Sequence, residues 1–92
     1  MAESPVRRRV RATGRVQGVF FRETTRRRAR AAGVSGWVRN NPDGTVEAWL
    51  EGEEDDVAVL VDFVSRGPES AEVDDVDVSD VEPAGAPGFE VR

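Results

Sequence analysis

Apolar residues recur two apart in some stretches of this chain and three or four apart in others, and each change of period marks an element. Val6 to Thr13 alternates, with Val10 and Ala12 on one face and arginines between them, which predicts a strand. A short glycine-punctuated segment follows. From Phe21 to Ala32 the period becomes helical: Phe21, Thr25, Ala29 and Ala32 form one stripe, Arg26, Arg27 and Arg30 lie largely off it, and Gly33 is a natural stop. Val34 to Asn40 predicts a second strand. Asn41-Pro42-Asp43-Gly44 is a turn, because proline presets φ and glycine supplies a positive one. Thr45 to Glu51 alternates again, with Val46, Ala48 and Leu50 on one side and Thr45, Glu47 and Trp49 on the other, so the pair forms a hairpin with one core face.

The second half repeats the scheme. Gly52 and the acids Glu53, Glu54, Asp55 and Asp56 open a helix whose first turn carries the charge that its dipole favours. Val57, Leu60, Val61 and Val64 make its stripe, with Phe63 beside it, and Gly67-Pro68 ends it. Val76 and Val78, with Val73 and Val81, mark a fourth strand among acids. Pro83 to Gly88 is a loop, and Phe89-Glu90-Val91 a short last strand. This order predicts an α+β fold of the ferredoxin-like (βαββαβ) kind, an α/β sandwich in which an antiparallel sheet carries two helices on one face and gains a fifth, C-terminal strand. Residues 1–92 are expected to form a single domain.

Composition narrows the chemistry. The chain has no cysteine, histidine or tyrosine. Disulfides and thiolate sites are excluded, and so are the commonest general base and a Ser-His-Asp mechanism within the chain. The start of the chain lacks the apolar stretch of a signal peptide and no run approaches a membrane span, so a soluble cytoplasmic protein is expected, monomeric by default. Residues 1–46 hold eleven Arg against three Asp/Glu, a balance of +8, and residues 47–92 hold two Arg against fifteen Asp/Glu, a balance of −13. Every basic residue is arginine. Two explanations compete for that bias: arginine-rich codon usage and adaptation to a high-salt cytoplasm.

Against this background one segment stands out: Gly14-Arg15-Val16-Gln17-Gly18-Val19-Phe20-Phe21-Arg22 places a glycine loop between a strand and a helix, with an arginine where the helix starts. Amides at a helix start lack intrahelical acceptors and favour an anion, and a guanidinium adds charge and a bidentate fork. The segment reads as a phosphate cradle. It lacks the Gly-Lys-Ser/Thr of a nucleoside-triphosphate site and the strand–helix alternation of a dinucleotide fold.

A second motif runs Gly36-Trp37-Val38-Arg39-Asn40, then Gly44-Thr45-Val46, then Gly52. With both motifs in order, the sequence resembles the acylphosphatase family, whose defining segments are Gly-x-Val-Gln-Gly-Val-x-Phe-Arg and Gly-aromatic-Val-basic-Asn-x-x-x-Gly-x-Val. The resemblance covers nearly the whole chain. It implies hydrolysis of the carboxyl–phosphate bond of a small-molecule acyl phosphate, releasing inorganic phosphate, with no metal or other cofactor. It also implies that Arg22 binds the phosphate and Asn40 positions the attacking water. Arg15, Val16, Gln17, Gly18, Val19 and Phe20 would complete the phosphate cradle through the loop amides.

Other readings bear on single residues. Gln17 either contacts substrate or braces the loop, Thr45 offers a hydroxyl near Asn40, Phe20 could line the cleft, and Trp49 either lies on the open sheet face or covers a neighbour. A non-catalytic anion-binding module is the main functional alternative. The run Arg26-Arg27-Arg28 raises an RNA-binding alternative, which the negative net charge and the absence of aromatic residues from Val6 to Thr13 disfavour, so no nucleic-acid partner is expected.

Overall fold

The computed structural model describes residues 4–18 and 20–92. Its elements are β1 (Val6–Arg15), α1 (Phe21–Ala32), β2 (Ser35–Asn40), β3 (Val46–Gly52), α2 (Glu54–Arg66), β4 (Glu72–Val81) and β5 (Phe89–Val91). The strands form one sheet in the order β4-β1-β3-β2-β5. The expected ferredoxin-like arrangement is present, and α1 has the bounds that its period predicts.

The alternation of the strands sorts the sheet into two faces. Val10 and Ala12 of β1, Val38 of β2, Val46, Ala48 and Leu50 of β3 and Phe89 of β5 are buried beneath the helices. Phe21, Thr25 and Ala29 of α1 and Val57, Leu60, Phe63 and Val64 of α2 close over them. Phe21 and Phe63 meet edge to face, with ring centroids 6.2 Å apart, and tie the helices together. On α2, Phe63 takes the buried place and Val61 is only half covered, a shift of the expected stripe by part of a turn.

Two differences from the sequence expectation have physical reasons. β1 continues past Thr13 to Arg15, because a register shift between Thr13 and Gly14 lets Gly14 pair with Val73 and Arg15 with Glu72. Gly14 sits there at φ +131°, where a Cβ would lie 2.3 Å from the Glu72 carbonyl oxygen, so only glycine fits. The sheet is also mixed rather than antiparallel throughout: β5 pairs in parallel with β2, Gly36 opposite Phe89 and Val38 opposite Val91. β4 ends at the end of the sheet where β2 begins. The chain crosses the open face there and enters β5 in the direction of β2. Glu51, buried on that face, holds the crossing by accepting the amides of Ala84 and Gly85, each at 2.8 Å.

The open face also settles Trp49. It stacks on Trp37 at 5.7 Å, and the Arg7 guanidinium lies 4.6 Å from its ring centre. No described helix is long and apolar enough to cross a membrane.

Candidate active site

The segment after β1, the start of α1, the end of β2 and the end of β5 converge at one end of the sheet. They enclose a cleft of about 640 Å³ lined by Val16, Gly18, Phe20, Phe21, Arg22, Glu23, Arg26, Arg30, Asn40, Glu90 and Val91. Of the residues singled out from the sequence, the cleft therefore gathers Val16, Gly18, Phe20, Arg22 and Asn40. Val19 lies outside the described residues. Arg15 and Gln17 are not on the wall: Arg15 is exposed at the end of β1, 3.5 Å from Glu72.

Gln17 does the bracing. Its Nε2 donates to the carbonyl oxygens of Asn41 (2.8 Å) and Thr45 (3.0 Å), which fastens the loop to the β2–β3 turn. Gly18 at φ +73° and Phe20 at φ +60° then turn the chain into α1. A left-handed phenylalanine costs about 1–2 kcal/mol, an outlier of the kind found where a site fixes the backbone. Its ring is 80% exposed at the cleft mouth.

α1 starts with no side chain capping it. The first helical bond runs from the Thr24 amide to the Phe20 carbonyl oxygen (3.0 Å), so the amides of Phe21, Arg22 and Glu23 have no acceptor within the helix. Arg22 is half-buried and makes no ion pair or side-chain hydrogen bond among the described residues. Its neighbours differ. Arg26 bonds Glu23, whose carboxyl is held below its ordinary range chiefly by that hydrogen bond, and Arg30 donates to the Phe89 carbonyl oxygen at 3.1 Å. Asn40 extends from the last residue of β2, on the helix-covered side. Its Oδ1 is buried and without a hydrogen bond among the described residues. Arg22, the start of α1 and Asn40, whose buried amide oxygen has no partner among the described residues, thus line one cleft. Together they can hold an anion and orient a small hydrogen-bonding molecule beside it.

The turn behind Asn40 is heavily bonded. Asp43 Oδ1 accepts from the Thr45 amide (3.0 Å) and hydroxyl (2.7 Å), and these bonds lower its pKa. Asn41 Nδ2 donates to the Thr45 hydroxyl (3.0 Å) and to Glu47 (3.0 Å). The Thr45 hydroxyl is thus committed to the turn. Glu47 is 5% exposed. Burial alone would raise its pKa, but hydrogen bonds from Trp49, Arg9 and Asn41, together with the Arg9 charge, outweigh that and bring it down to about 2.

Sequence reasoning missed Glu23, Arg26, Arg30, Glu90 and Val91 as cleft walls. The spacing of four between Arg22, Arg26 and Arg30 puts them on one helical stripe and is a usable signal. Nothing local reveals that β5 would supply the other wall.

Comparison with known proteins points in one direction. A family model described as Acylphosphatase matches residues 8–91. An acylphosphatase of Rubrobacter xylanophilus is 57% identical over 93 residues, covering 99% of this chain and 84% of that protein. One of Haloarcula marismortui is 55% identical over 80 residues, covering 87% and 88%. Among solved structures, an acylphosphatase from Coxiella burnetii aligns with a TM-score of 0.90 at 35% identity, over 96% of this chain and 93% of that one.

Proposed function

This chain belongs to the acylphosphatase family, and from that premise we propose how its cleft cleaves an acyl phosphate. The phosphoryl group sits at the start of α1, where Arg22 and the amides of the loop and first turn contact its non-bridging oxygens. Asn40 holds a water on the far side of phosphorus from the acyl oxygen. The water oxygen attacks phosphorus, the bond to the acyl oxygen breaks, and its electron pair leaves as a carboxylate. The water proton passes to the phosphate itself, since the chain has no histidine to take it and an amide does not titrate.

The carboxylate is a good leaving group, so the protein's task is positioning and charge balance. Arg22 and the amides supply that balance without reorganising. The observation that carries the reading is that one cleft is lined both by Arg22, which has no partner among the described residues, and by Asn40, whose buried Oδ1 has none either.

Hydrolysis of benzoyl phosphate in the presence of a chelator tests it. Arg22→Ala and Asn40→Ala should each raise the barrier by ~3 kcal/mol or more, in line with loss of one preorganised donor. Arg22→Lys should recover only part of the activity, because an ammonium lacks the fork. Activity that disappears with the chelator, or survives both alanine variants, would sink the reading, as would a pH–rate profile showing an essential enzyme base near neutrality.

A further inference from the structure

We propose that Glu47, on the sheet face opposite the cleft, is a positioning residue for hydrolysis, because it clamps the turn that carries Asn40. This rests on the site reading above and adds a residue that touches neither phosphate nor water.

The connection is continuous. Glu47 lies on β3 opposite Arg39 and next to Val46, which pairs with Asn40. Its carboxylate accepts from Trp49 Nε1 (2.5 Å), Arg9 Nε (3.0 Å), Asn41 Nδ2 (3.0 Å) and Arg39 Nη2 (3.4 Å). Asn41 is held further by Arg39 Nε to its Oδ1 (2.9 Å), by its own amide to the Thr45 carbonyl oxygen (2.8 Å) and by its Nδ2 to the Thr45 hydroxyl (3.0 Å). Its carbonyl oxygen receives Gln17. One carboxylate thus gathers β1, β2 and β3 around the residue that follows Asn40 and that receives the brace of the phosphate loop. A bend at Asn41 would move Asn40 directly. The loop braced by Gln17 on the Asn41 and Thr45 carbonyls would follow in part, whereas Arg22 and the first-turn amides stand on α1 and would keep their places, so anion binding would change less than the placing of the water.

The same face offers an internal control. Glu51, also on β3 and 6% exposed, accepts the Ala84 and Gly85 amides and lies 3.6 Å from Arg7 at the far end of the sheet. Both carboxylates are buried and hydrogen-bonded, and only Glu47 is wired to the site.

Glu47→Gln, Glu51→Gln, Asn41→Ala and the double variant Glu47→Gln/Asn41→Ala would be compared for thermal melting, kcat on benzoyl phosphate and competitive inhibition by inorganic phosphate. Sub-ångström misplacement of a water-holding group acts on the chemical step, so Glu47→Gln should lower kcat by about tenfold or more while the phosphate inhibition constant moves by less than about threefold. Glu51→Gln should melt at lower temperature with kcat within about twofold of wild type. Asn41→Ala, which cuts the same link without removing the charge that pairs with Arg9 and Arg39, should match Glu47→Gln, and the double variant should be no slower than the worse single one, as residues acting through one link are non-additive. If Glu47→Gln does not fold, Asn41→Ala carries the test. Equal kcat in the Glu47 and Glu51 variants, or in Asn41→Ala and wild type, would overturn the positioning role while leaving the site reading intact. A wild-type protein without hydrolysis would overturn both.

Discussion

The two helices lie side by side on one sheet face and follow their strands in the same way, yet they begin in opposite manners. α2 opens from an extended residue, Glu53, into a first turn of Glu54, Asp55 and Asp56. Its own carboxylates meet the positive end of its dipole. α1 opens from a left-handed phenylalanine into a turn whose acid, Glu23, is taken up by Arg26 and Arg27, and it adds Arg22 to the positive end. One helix start is neutralised from within, and the other is left positive and faces a cleft. A doubled βαβ scaffold therefore supplies two helix starts that differ in entry backbone and in charge, and the proposed reading puts the phosphoryl group at the positive one, that of α1.

The most severe way to break this contrast is to give α1 the character of α2. Arg22→Glu should abolish measurable hydrolysis, a loss of at least ~4 kcal/mol in transition-state stabilisation, and should remove the rise in melting temperature that inorganic phosphate is expected to give the wild-type protein. Retained phosphate protection in that variant would place the anion elsewhere.

Acid titration tests the support beneath the site. The folded-state pKa of Glu47 lies at about 2, below its ordinary 4.5. The group therefore contributes stability that is fully present above the unfolded value and is lost as pH falls from about 4.5 toward 2. The shift corresponds to roughly 3 kcal/mol. Urea unfolding at pH 5 and at pH 2.5 should show that loss in the wild-type protein and much less of it in Glu47→Gln. Equal acid sensitivity in the two proteins would count against it.

Smaller effects sharpen the comparison. Replacing Glu54, Asp55 and Asp56 by alanine should cost about 1–3 kcal/mol in stability, from ~0.3–1 kcal/mol per charge at a helix start, with kcat unchanged. A fall in kcat would mean that the two helix starts are coupled. Phe20→Gly removes the left-handed penalty at φ +60° but makes the unfolded chain more flexible, so stability should rise by no more than about 1 kcal/mol. Urea unfolding measures it, and a marked destabilisation would show that the exposed ring packs in solution.

Much of this was legible in the chain. The bounds of α1 followed from the stripe Phe21, Thr25, Ala29, and the hairpin followed from Asn41-Pro42-Asp43-Gly44, because both signals act over a few residues. Arg22 and Asn40 could be named as a pair from two motifs, and the cleft brings them together. Glu47 could not be identified. An acid at an alternating position opposite a core face reads as a solvent-facing residue, and only the approach of Arg9, Arg39, Asn41 and Trp49 makes it a buried hub. Gln17 left two roles open, since its bonds reach 24 and 28 residues along the chain.

Taken alone, the order of residues determined the kinds and sequence of elements, the face of each that is apolar, and the residue types available for chemistry. Those properties arise from backbone periods, turn geometry and local charge, which are short-range. The tertiary structure alone decided that β5 runs parallel to β2 and walls the cleft with Glu90 and Val91, that Arg15 turns toward Glu72, and that a carboxylate on the far face holds the turn behind Asn40. These outcomes depend on which distant surfaces meet when the core closes, and no local period encodes that meeting.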